Sequence, residues 1–181
     1  MPVQEMAVSP VKALYWERFP PMSQRRVYST PLYLGGLLYV LGGCDETGAP
    51  LDSVEVLDVE RRAWSQLPPL PTARAGASAV ALGARVMVLG GMNRQQTPLA
   101  SVEMYHPDEG RWETRASLGA PSMGVTTVEK AERLGSRLVL SVCHSSSRKR
   151  TSSKAFLVTP RGVHDATFDP EGFWSLFLGG L

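Results

Sequence analysis

The chain is poor in cysteine, in net charge and in long apolar runs. Its 181 residues include two cysteines, Cys44 and Cys143, which lie far apart. This spacing provides neither a metal-binding cluster nor a disulfide framework and is typical of a reducing compartment, so we expect a cytoplasmic protein. No apolar run is long enough for a membrane span, and no basic segment leads into one as in a secretory signal. A net charge of +2 gives no reason to expect a nucleic-acid partner.

Histidine is also scarce, and no catalytic arrangement can be assembled around the three that are present. Cys143 and His144 are adjacent, but neighbouring residues of a strand do not present their side chains to each other. His106 and His164 are isolated in the sequence, and His106 beside Pro107 is typical of a turn. No glycine-rich loop opens a helix to bind phosphate. We therefore predict no enzyme activity, no cofactor and no metal site.

The most informative feature of the sequence is an internal repeat of 48 residues. Trp16, Trp64 and Trp112 share this interval, and the pair Gly42-Gly43 recurs as Gly90-Gly91. Because a repeat decides the architecture, it precedes any local assignment of structure. Further matches at the same interval are Val54-Glu55 with Val102-Glu103 and Arg26 with Arg74.

Each period consists of short strand patterns separated by turn signals. In the second period these patterns cover residues 74–82, 85–89, 101–105 and 111–115. Helical periodicity is absent from the sequence. Four strands in a unit of this length predict a four-stranded antiparallel blade of a β-propeller, and therefore an all-β fold. We expect the glycine pairs to make room where blades crowd each other and the tryptophans to pack between neighbouring blades.

The repeat resembles the kelch family in its glycine pair after an apolar strand, a further strand, and then a tryptophan. In the first repeat these landmarks are Tyr39-Val-Leu-Gly-Gly43, Val54–Asp58 and Trp64. Segments such as Leu70–Gly76 and Asp108–Trp112 look closer still to the kelch domain-containing protein 8 group. The resemblance implies a partial kelch β-propeller with two four-stranded blades, the start of a third, and an irregular C-terminal tail. It also implies a non-catalytic scaffold for protein–protein interaction.

The repeat pattern divides the chain into residues 1–14 as an N-terminal segment, 15–128 as kelch repeats, and 129–181 as a divergent, partly disordered tail. The period requires a glycine pair at 138–139, where Leu138 and Val139 stand, and the net charge changes from −1 over residues 1–128 to +3 over residues 129–181. Two alternatives remain. One is a degenerate third blade with strands at 137–142 and 155–159, and the other, which we favour, is a replaced C-terminus.

The resemblance also implies where a partner docks. Kelch propellers bind partners with the loops between the second and third strands and the loops entering the first strand. In this chain those loops are 44–51, 92–99 and 68–74. We expect Arg26 and Arg74 to lie at the pore mouth, where they could hold an acidic peptide, unless each pairs with a third-strand glutamate. The remaining candidate contact residues are Asp45, Glu46, Asn93, Arg94 and Gln95.

An alternative function follows from the small number of repeats. Propellers remove exposed sheet edges by closing a ring of typically four to eight blades, which two or three blades cannot do. Such a chain exposes an apolar blade face and is expected to associate with itself. The alternative is therefore a truncated, splice-type isoform without a binding function of its own, unstable or interfering with the full-length protein.

Overall fold

We describe the fold from a computed structural model. It describes residues 17–115, 117–124, 126–131, 137–147, 150–159, 162–168 and 174–175, with side chains as far as residue 124 and at Thr127. These residues form thirteen strands and no helix, so the described part of the chain contains no helix that could cross a membrane. The strands are β1 (Thr30–Leu34), β2 (Leu37–Leu41), β3 (Val54–Asp58), β4 (Ala63–Leu67), β5 (Ser78–Leu82), β6 (Arg85–Leu89), β7 (Val102–His106), β8 (Arg111–Arg115), β9 (Thr126–Ala131), β10 (Arg137–Ser147), β11 (Arg150–Thr159), β12 (Gly162–Phe168) and β13 (Trp174–Ser175).

The first two repeats fold as two four-stranded antiparallel meanders, β1–β4 and β5–β8. Their registers are equivalent: Tyr39 lies opposite Val56 in the first sheet, and Met87 lies opposite Met104 in the second. We call these sheets blade 1 and blade 2. The prediction of two four-stranded blades, and of an all-β fold, is confirmed.

The two blades pack face to face through a shared apolar cluster. Blade 1 contributes Tyr39, Leu41 and Val54 among others, and blade 2 contributes Val86 and Val88. Because side chains alternate across a strand, Met87 and Leu89 point to the other side of blade 2, where they join a second cluster. Blade 2 therefore has a buried apolar layer on both faces, which explains the continuous apolar run Val86–Leu89.

The glycine pairs lie where the repeats approach each other most closely. A Cβ atom on Gly42 would lie 2.3 Å from the backbone oxygen of Arg74, which belongs to the next repeat. Gly43 donates its backbone N–H to the same oxygen at 2.9 Å. Both glycines also have a positive φ, which disfavours other residues. The expected crowding at the glycine pair is therefore confirmed.

The repeated tryptophans join each blade to the segment before it. The indole Nε1 of Trp64 donates to the backbone oxygen of Pro20 at 2.7 Å, and Trp112 makes the same bond to Pro68 at 2.8 Å. Trp112 also packs against Tyr105, with ring centroids 5.1 Å apart. Each ring thus combines buried apolar area with one satisfied polar atom.

The C-terminal region differs from the irregular tail that we expected. Its described backbone forms a third antiparallel meander in the order β13-β12-β11-β10-β9. The strands predicted for a degenerate blade, 137–142 and 155–159, lie within β10 and β11. A ladder of backbone hydrogen bonds does not require the glycine pair, so its loss did not prevent sheet formation. The boundary at residue 129 stays a prediction, and the N-terminal segment 1–14 lies outside the described residues.

Candidate protein-docking face

Isolated β-bridges hold the loops that were predicted to bind a partner. These loops lie at one edge of the blades. Cys44, which follows blade 1's second strand, pairs with Val27 before the first strand and with Pro50 before the third. In blade 2, Met92 makes the equivalent pairs with Ala75 and Pro98. The loops 44–51 and 92–99 therefore have the same anchored shape and lie at equivalent places. We call this edge the loop face.

Arg26 is buried beneath the loop face. Its side chain has 0% exposure, and its Nη2 lies 2.5 Å from Oε1 of Glu55 on β3. Its Nη1 donates to the backbone oxygens of Gly42 and Ser53, each at 3.0 Å. The guanidinium thus joins the end of β2 to the start of β3.

Arg74 makes the same contacts 48 residues later. Its side chain is 1% exposed, it forms an ion pair with Glu103, and its Nη1 donates to the backbone oxygen of Gly90 at 2.8 Å. Nη1 also reaches the backbone oxygen of Ser101 at 3.3 Å. Burial lowers the pKa of Arg74, and the carboxylate of Glu103 opposes that effect. We call these two arrangements the arginine clamps.

The clamps correct our placement of the two arginines. We expected Arg26 and Arg74 at the pore mouth as receptors for an acidic peptide, but both side chains are buried and their Nη atoms donate to groups of the protein itself. The alternative of a structural pair with the third-strand glutamate accounts for both. A buried ion pair with additional hydrogen bonds holds a defined geometry, and its burial leaves no donor accessible to a ligand.

The carboxylates of the two clamps are not equally satisfied. Glu55 also accepts backbone N–H bonds from Ser23 at 2.8 Å and Gln24 at 3.3 Å. Burial alone would raise its pKa, but the hydrogen bonds from Ser23 and the guanidinium of Arg26 lower the pKa of Glu55 overall. In repeat 2, proline stands at position 71, where repeat 1 has Ser23, and proline has no N–H to donate. Oε2 of Glu103 is accordingly buried without a hydrogen-bond partner among the described residues.

Asp45 and Asn93 shape the two loops from inside. Oδ1 of Asp45 accepts the backbone N–H groups of Thr47 at 2.9 Å and Ala49 at 3.0 Å. Oδ1 of Asn93 accepts those of Gln95 and Thr97, each at 3.0 Å. Such side-chain bonds to the following backbone fix a loop without a helix or sheet. The two residues were predicted as partner contacts, and the structure gives their oxygen atoms an internal role.

Among the predicted contact residues, Glu46, Arg94 and Gln95 are exposed on the loop face. The side chain of Glu46 is 77% exposed and lies 4.0 Å from Arg25, between Nη1 and Oε1. Arg94 is 58% exposed, lies 3.6 Å from Asp52 and donates its Nε to the backbone oxygen of Pro50 at 3.2 Å. Because Pro50 and Asp52 belong to repeat 1, Arg94 connects the loops of the two repeats. The sequence predicted Arg94 as a partner contact but did not predict this connection.

These observations define a class of protein before any comparison is made: consecutive β-propeller blades that present a rigid polar loop face. A model of the Kelch motif matches residues 25–71 and 73–119, the two repeats described above. Since those residues make up more than half of the chain, the protein belongs to the kelch repeat family. The predicted resemblance is thereby confirmed.

Curated relatives match a short part of the chain. Kelch domain-containing protein 8B from Bos taurus is 52% identical over 53 residues, which are 29% of this chain and 15% of the relative. The Homo sapiens protein of the same name is 51% identical over 47 residues, which are 26% of this chain and 13% of the relative. The chain therefore matches less than two thirds of the length of these relatives.

A solved structure supports the fold over a larger part of the chain. The structure of YjhT superposes with a TM-score of 0.63 at 15% sequence identity, over 81% of this chain and 59% of that one. At this identity the similarity concerns the fold alone.

Proposed function

We propose that the chain is a non-catalytic protein-interaction scaffold of the cytoplasm and that the loop face is its docking surface. The observation that carries this proposal is the contrast between fixed loop backbones and outward-pointing polar side chains. Asp45 and Asn93 hold the two loops from within, so Glu46, Arg94 and Gln95 are presented without a large entropic cost on binding. Loops positioned by a rigid scaffold are a frequent location of binding residues.

The partner that fits this face is a protein surface with charges of both signs. Since the clamps occupy Arg26 and Arg74, the exposed charges are Arg25, Glu46 and the pair formed by Arg94 and Asp52. An acidic peptide has fewer groups to pair with here than the sequence implied. Rim charges of this kind affect association rate and partner choice more than affinity.

The experiment compares charge reversals at opposite edges of the same blades. The loop-face variant carries Glu46→Arg and Arg94→Glu, and the control carries Glu60→Arg and Arg85→Glu at turns on the other edge. Both variants leave the net charge unchanged. Proteins crosslinked to the chain in cells are then compared by quantitative mass spectrometry. Partners that are lost with the loop-face variant and kept with the control support the proposal. Partners that respond equally to both variants, or no specific partner at all, contradict it.

A second candidate is a chain without an independent binding function that interferes by associating with other copies of itself. The observation in its favour is the exposure of large apolar side chains in repeat 1: Val27 is 56% exposed, Tyr28 75% and Tyr33 62%. Hydrogen–deuterium exchange with sedimentation separates the candidates. Slow exchange across 26–115 in a discrete species favours the scaffold, whereas fast exchange or polydisperse association favours this alternative.

A further inference from the structure

The turn between β7 and β8 brings together three side chains with metal-ligating atoms. His106, Asp108 and Glu109 each offer one such atom, and these atoms all lie within 4.8 Å of one another. The turn itself is tight, because the backbone oxygen of His106 accepts N–H bonds from Glu109 at 3.1 Å and Gly110 at 2.8 Å. The side chains two and three positions after His106 are thereby folded back toward its ring.

The buried imidazole of His106 distinguishes this turn from a turn that contains only acidic residues. Its side chain is 5% exposed, and its Nε2 lies 3.0 Å from Oε2 of Glu113. A carboxylate only accepts hydrogen bonds, so this contact assigns the Nε2 proton to a bond that His106 donates to Glu113. The other nitrogen, Nδ1, is buried with no hydrogen-bond partner among the described residues and lies 3.9 Å from Oε1 of Glu109.

This arrangement is the one that metal-binding histidines usually have. A ligating histidine donates its second ring N–H to a carboxylate, which fixes the ring and makes the free nitrogen a better ligand. Here Glu113 fixes the ring, and Nδ1 is directed toward Glu109. Glu113 is placed by the hairpin register, since it lies diagonally across from His106, whose direct partner is Arg111.

The surrounding charges leave the ligand atoms available. Arg111 pairs with Oε2 of Glu109 at 2.5 Å, which leaves Oε1 for another ligand. Arg115 lies 3.0 Å from Oε2 of Glu113 and balances the charge of that supporting carboxylate. Ligand atoms of a tetrahedral zinc site are about 3.4 Å apart for bonds of roughly 2.1 Å, so the present separation requires a small closure. Asp108 and Glu109 can supply it because both are exposed.

We propose that His106, Asp108 and Glu109 bind a divalent transition-metal ion, with zinc as the best fit and solvent as the fourth ligand. One imidazole and two carboxylates suit zinc better than magnesium or calcium, which favour all-oxygen sites. A metal ion at this position would stabilise the β7–β8 turn of repeat 2. This proposal departs from the sequence-based prediction of no metal site, which judged His106 isolated, because the tight turn brings Asp108 and Glu109 to its ring.

Repeat 1 provides an internal comparison for this site. Asp58 stands at the position of His106, Glu60 at that of Asp108 and Arg61 at that of Glu109. There the carboxylate of Asp58 accepts the backbone N–H of Arg61 at 2.9 Å and forms an ion pair with its side chain. The turn of repeat 1 thus has no imidazole and carries a cation in place of a ligand.

The test is a titration of the full chain with zinc chloride, followed by calorimetry and by the side-chain nitrogen spectrum of histidine. The double variant Asp108→Asn, Glu109→Gln removes two ligands at exposed positions that the fold does not require. We expect at least a tenfold weaker zinc affinity for this variant, and a zinc-induced shift of Nδ1 rather than Nε2 of His106 in the parent chain. Glu113→Ala should weaken zinc binding by about 10- to 100-fold through loss of the supporting bond.

Glu60→Gln is the matched control, because Glu60 occupies the position of Asp108 in the turn of repeat 1. It should bind zinc as the parent chain does. Zinc affinity that is unchanged in the double variant would overturn the proposal, since the ion would then be held by other histidines or cysteines. A proton on Nδ1 of His106 that persists in excess zinc would overturn it equally. In that case the buried nitrogen serves a hydrogen bond to Glu109.

Discussion

The two complete repeats have the same sequence landmarks and the same strand pairing, yet their surroundings differ. Ala75 of repeat 2 is 4% exposed, while Val27, at the same position of repeat 1, is 56% exposed. Both residues pair with the loop after the second strand in the same way. Repeat 2 packs against blade 1 at this point, since the backbone N–H of Gly76 donates to the backbone oxygen of Tyr28 at 3.0 Å, whereas Tyr28 makes no such N–H bond within the described residues. A repeat thus determines its own fold, and the adjacent repeats determine which of its residues are buried.

The largest predicted loss of stability concerns the arginine clamps, whose glutamates have different hydrogen bonds in the two repeats. Replacing Arg74 by methionine leaves Glu103 buried, with Oε2 already lacking a partner, and should lower the free energy of unfolding by roughly 3–5 kcal/mol. Arg26→Met should cost only about 2 kcal/mol, because Glu55 keeps the backbone N–H groups of Ser23 and Gln24. Urea unfolding followed by tryptophan fluorescence measures both.

Arg94→Met is the control for loss of an arginine at an exposed ion pair. Its partner Asp52 stays hydrated, so the cost should be below about 1 kcal/mol. Equal losses for Arg26→Met and Arg74→Met would contradict the argument that Pro71 deprives Glu103 of a donor.

The glycine at the contact between repeats should give the next largest effect. In Gly42→Ala, the new Cβ atom would lie 2.3 Å from the backbone oxygen of Arg74, at a φ of +55°. The clash and the backbone strain together should cost roughly 3 kcal/mol, because neither backbone can move without separating the blades. Thermal unfolding of the variant and the parent chain measures the loss.

Gly48→Ala separates the two causes. Gly48 also has a positive φ, +82°, but no atom lies within 4 Å of the position of its Cβ. Its cost should therefore be the strain alone, about 1–2 kcal/mol. If Gly48→Ala were as destabilising as Gly42→Ala, the close approach between repeats would not be what requires glycine.

The fold was predictable because its repeated residues occupy positions that few other residue types can occupy. A glycine pair with positive φ and no room for Cβ, and a tryptophan that joins consecutive repeats, tolerate few substitutes, so their spacing is visible in the sequence. The third sheet was not predictable in the same way. Its described strands are held by backbone pairing, which many sequences satisfy, and it lacks the glycine pair that marked the first two blades.

The candidate site was predictable in location but less so in detail. The loops were placed correctly, because their position follows from the strand order. The direction of a side chain does not: Arg26 is fully buried and Arg94 is 58% exposed, although both are arginines in turn-rich segments. Which of them is available depends on whether a carboxylate such as Glu55 lies beneath, and that is a property of the packed blade.

A smaller effect is expected where repeat 1 departs from the glycine preference of its position. Tyr28 has a φ of +55° and Gly76, its equivalent, a φ of +58°. Tyr28→Gly should relieve strain of about 1–2 kcal/mol but increase the freedom of the unfolded chain by about 0.5–1 kcal/mol. A net stabilisation between zero and about 1.5 kcal/mol is therefore expected in urea unfolding.

Tyr28→Gly also tests whether the exposed apolar side chains of repeat 1 cause self-association. If copies of the chain associate through the Tyr28 ring, which is 75% exposed, its removal should also shift the sedimentation profile toward smaller species, whereas an unchanged profile is expected for the scaffold. Gly76→Ala is the reverse control, since no atom lies within 4 Å of its Cβ position and only strain is added. A Tyr28→Gly chain that is clearly less stable than the parent would show that the ring covers part of the blade.

The smallest predicted effect is a pH dependence that differs between loop 44–51, which contains Asp45, and loop 92–99, which contains Asn93 at the equivalent position. The hydroxyl of Thr47 and the backbone N–H of Ala49 lower the pKa of Asp45, so the charged form stabilises the folded loop. Since the folded-state pKa lies below the unfolded value, this contribution is present above the unfolded pKa and is lost as the pH falls through the folded one. Asn93 makes the equivalent bonds with an amide oxygen that does not titrate in this range.

The amide proton of Thr47 should therefore shift in NMR spectra as acid is added, with a midpoint below the usual range of an aspartate. That of Thr97 should stay unchanged until the chain unfolds. In Asp45→Asn, the Thr47 amide should lose its titration while the loop keeps its shape, because repeat 2 already folds the same loop around an asparagine. A Thr47 amide that still titrates in that variant would show that a carboxylate other than Asp45 is responsible. The equivalence of the two loops would then hold for their shape but not for their electrostatics.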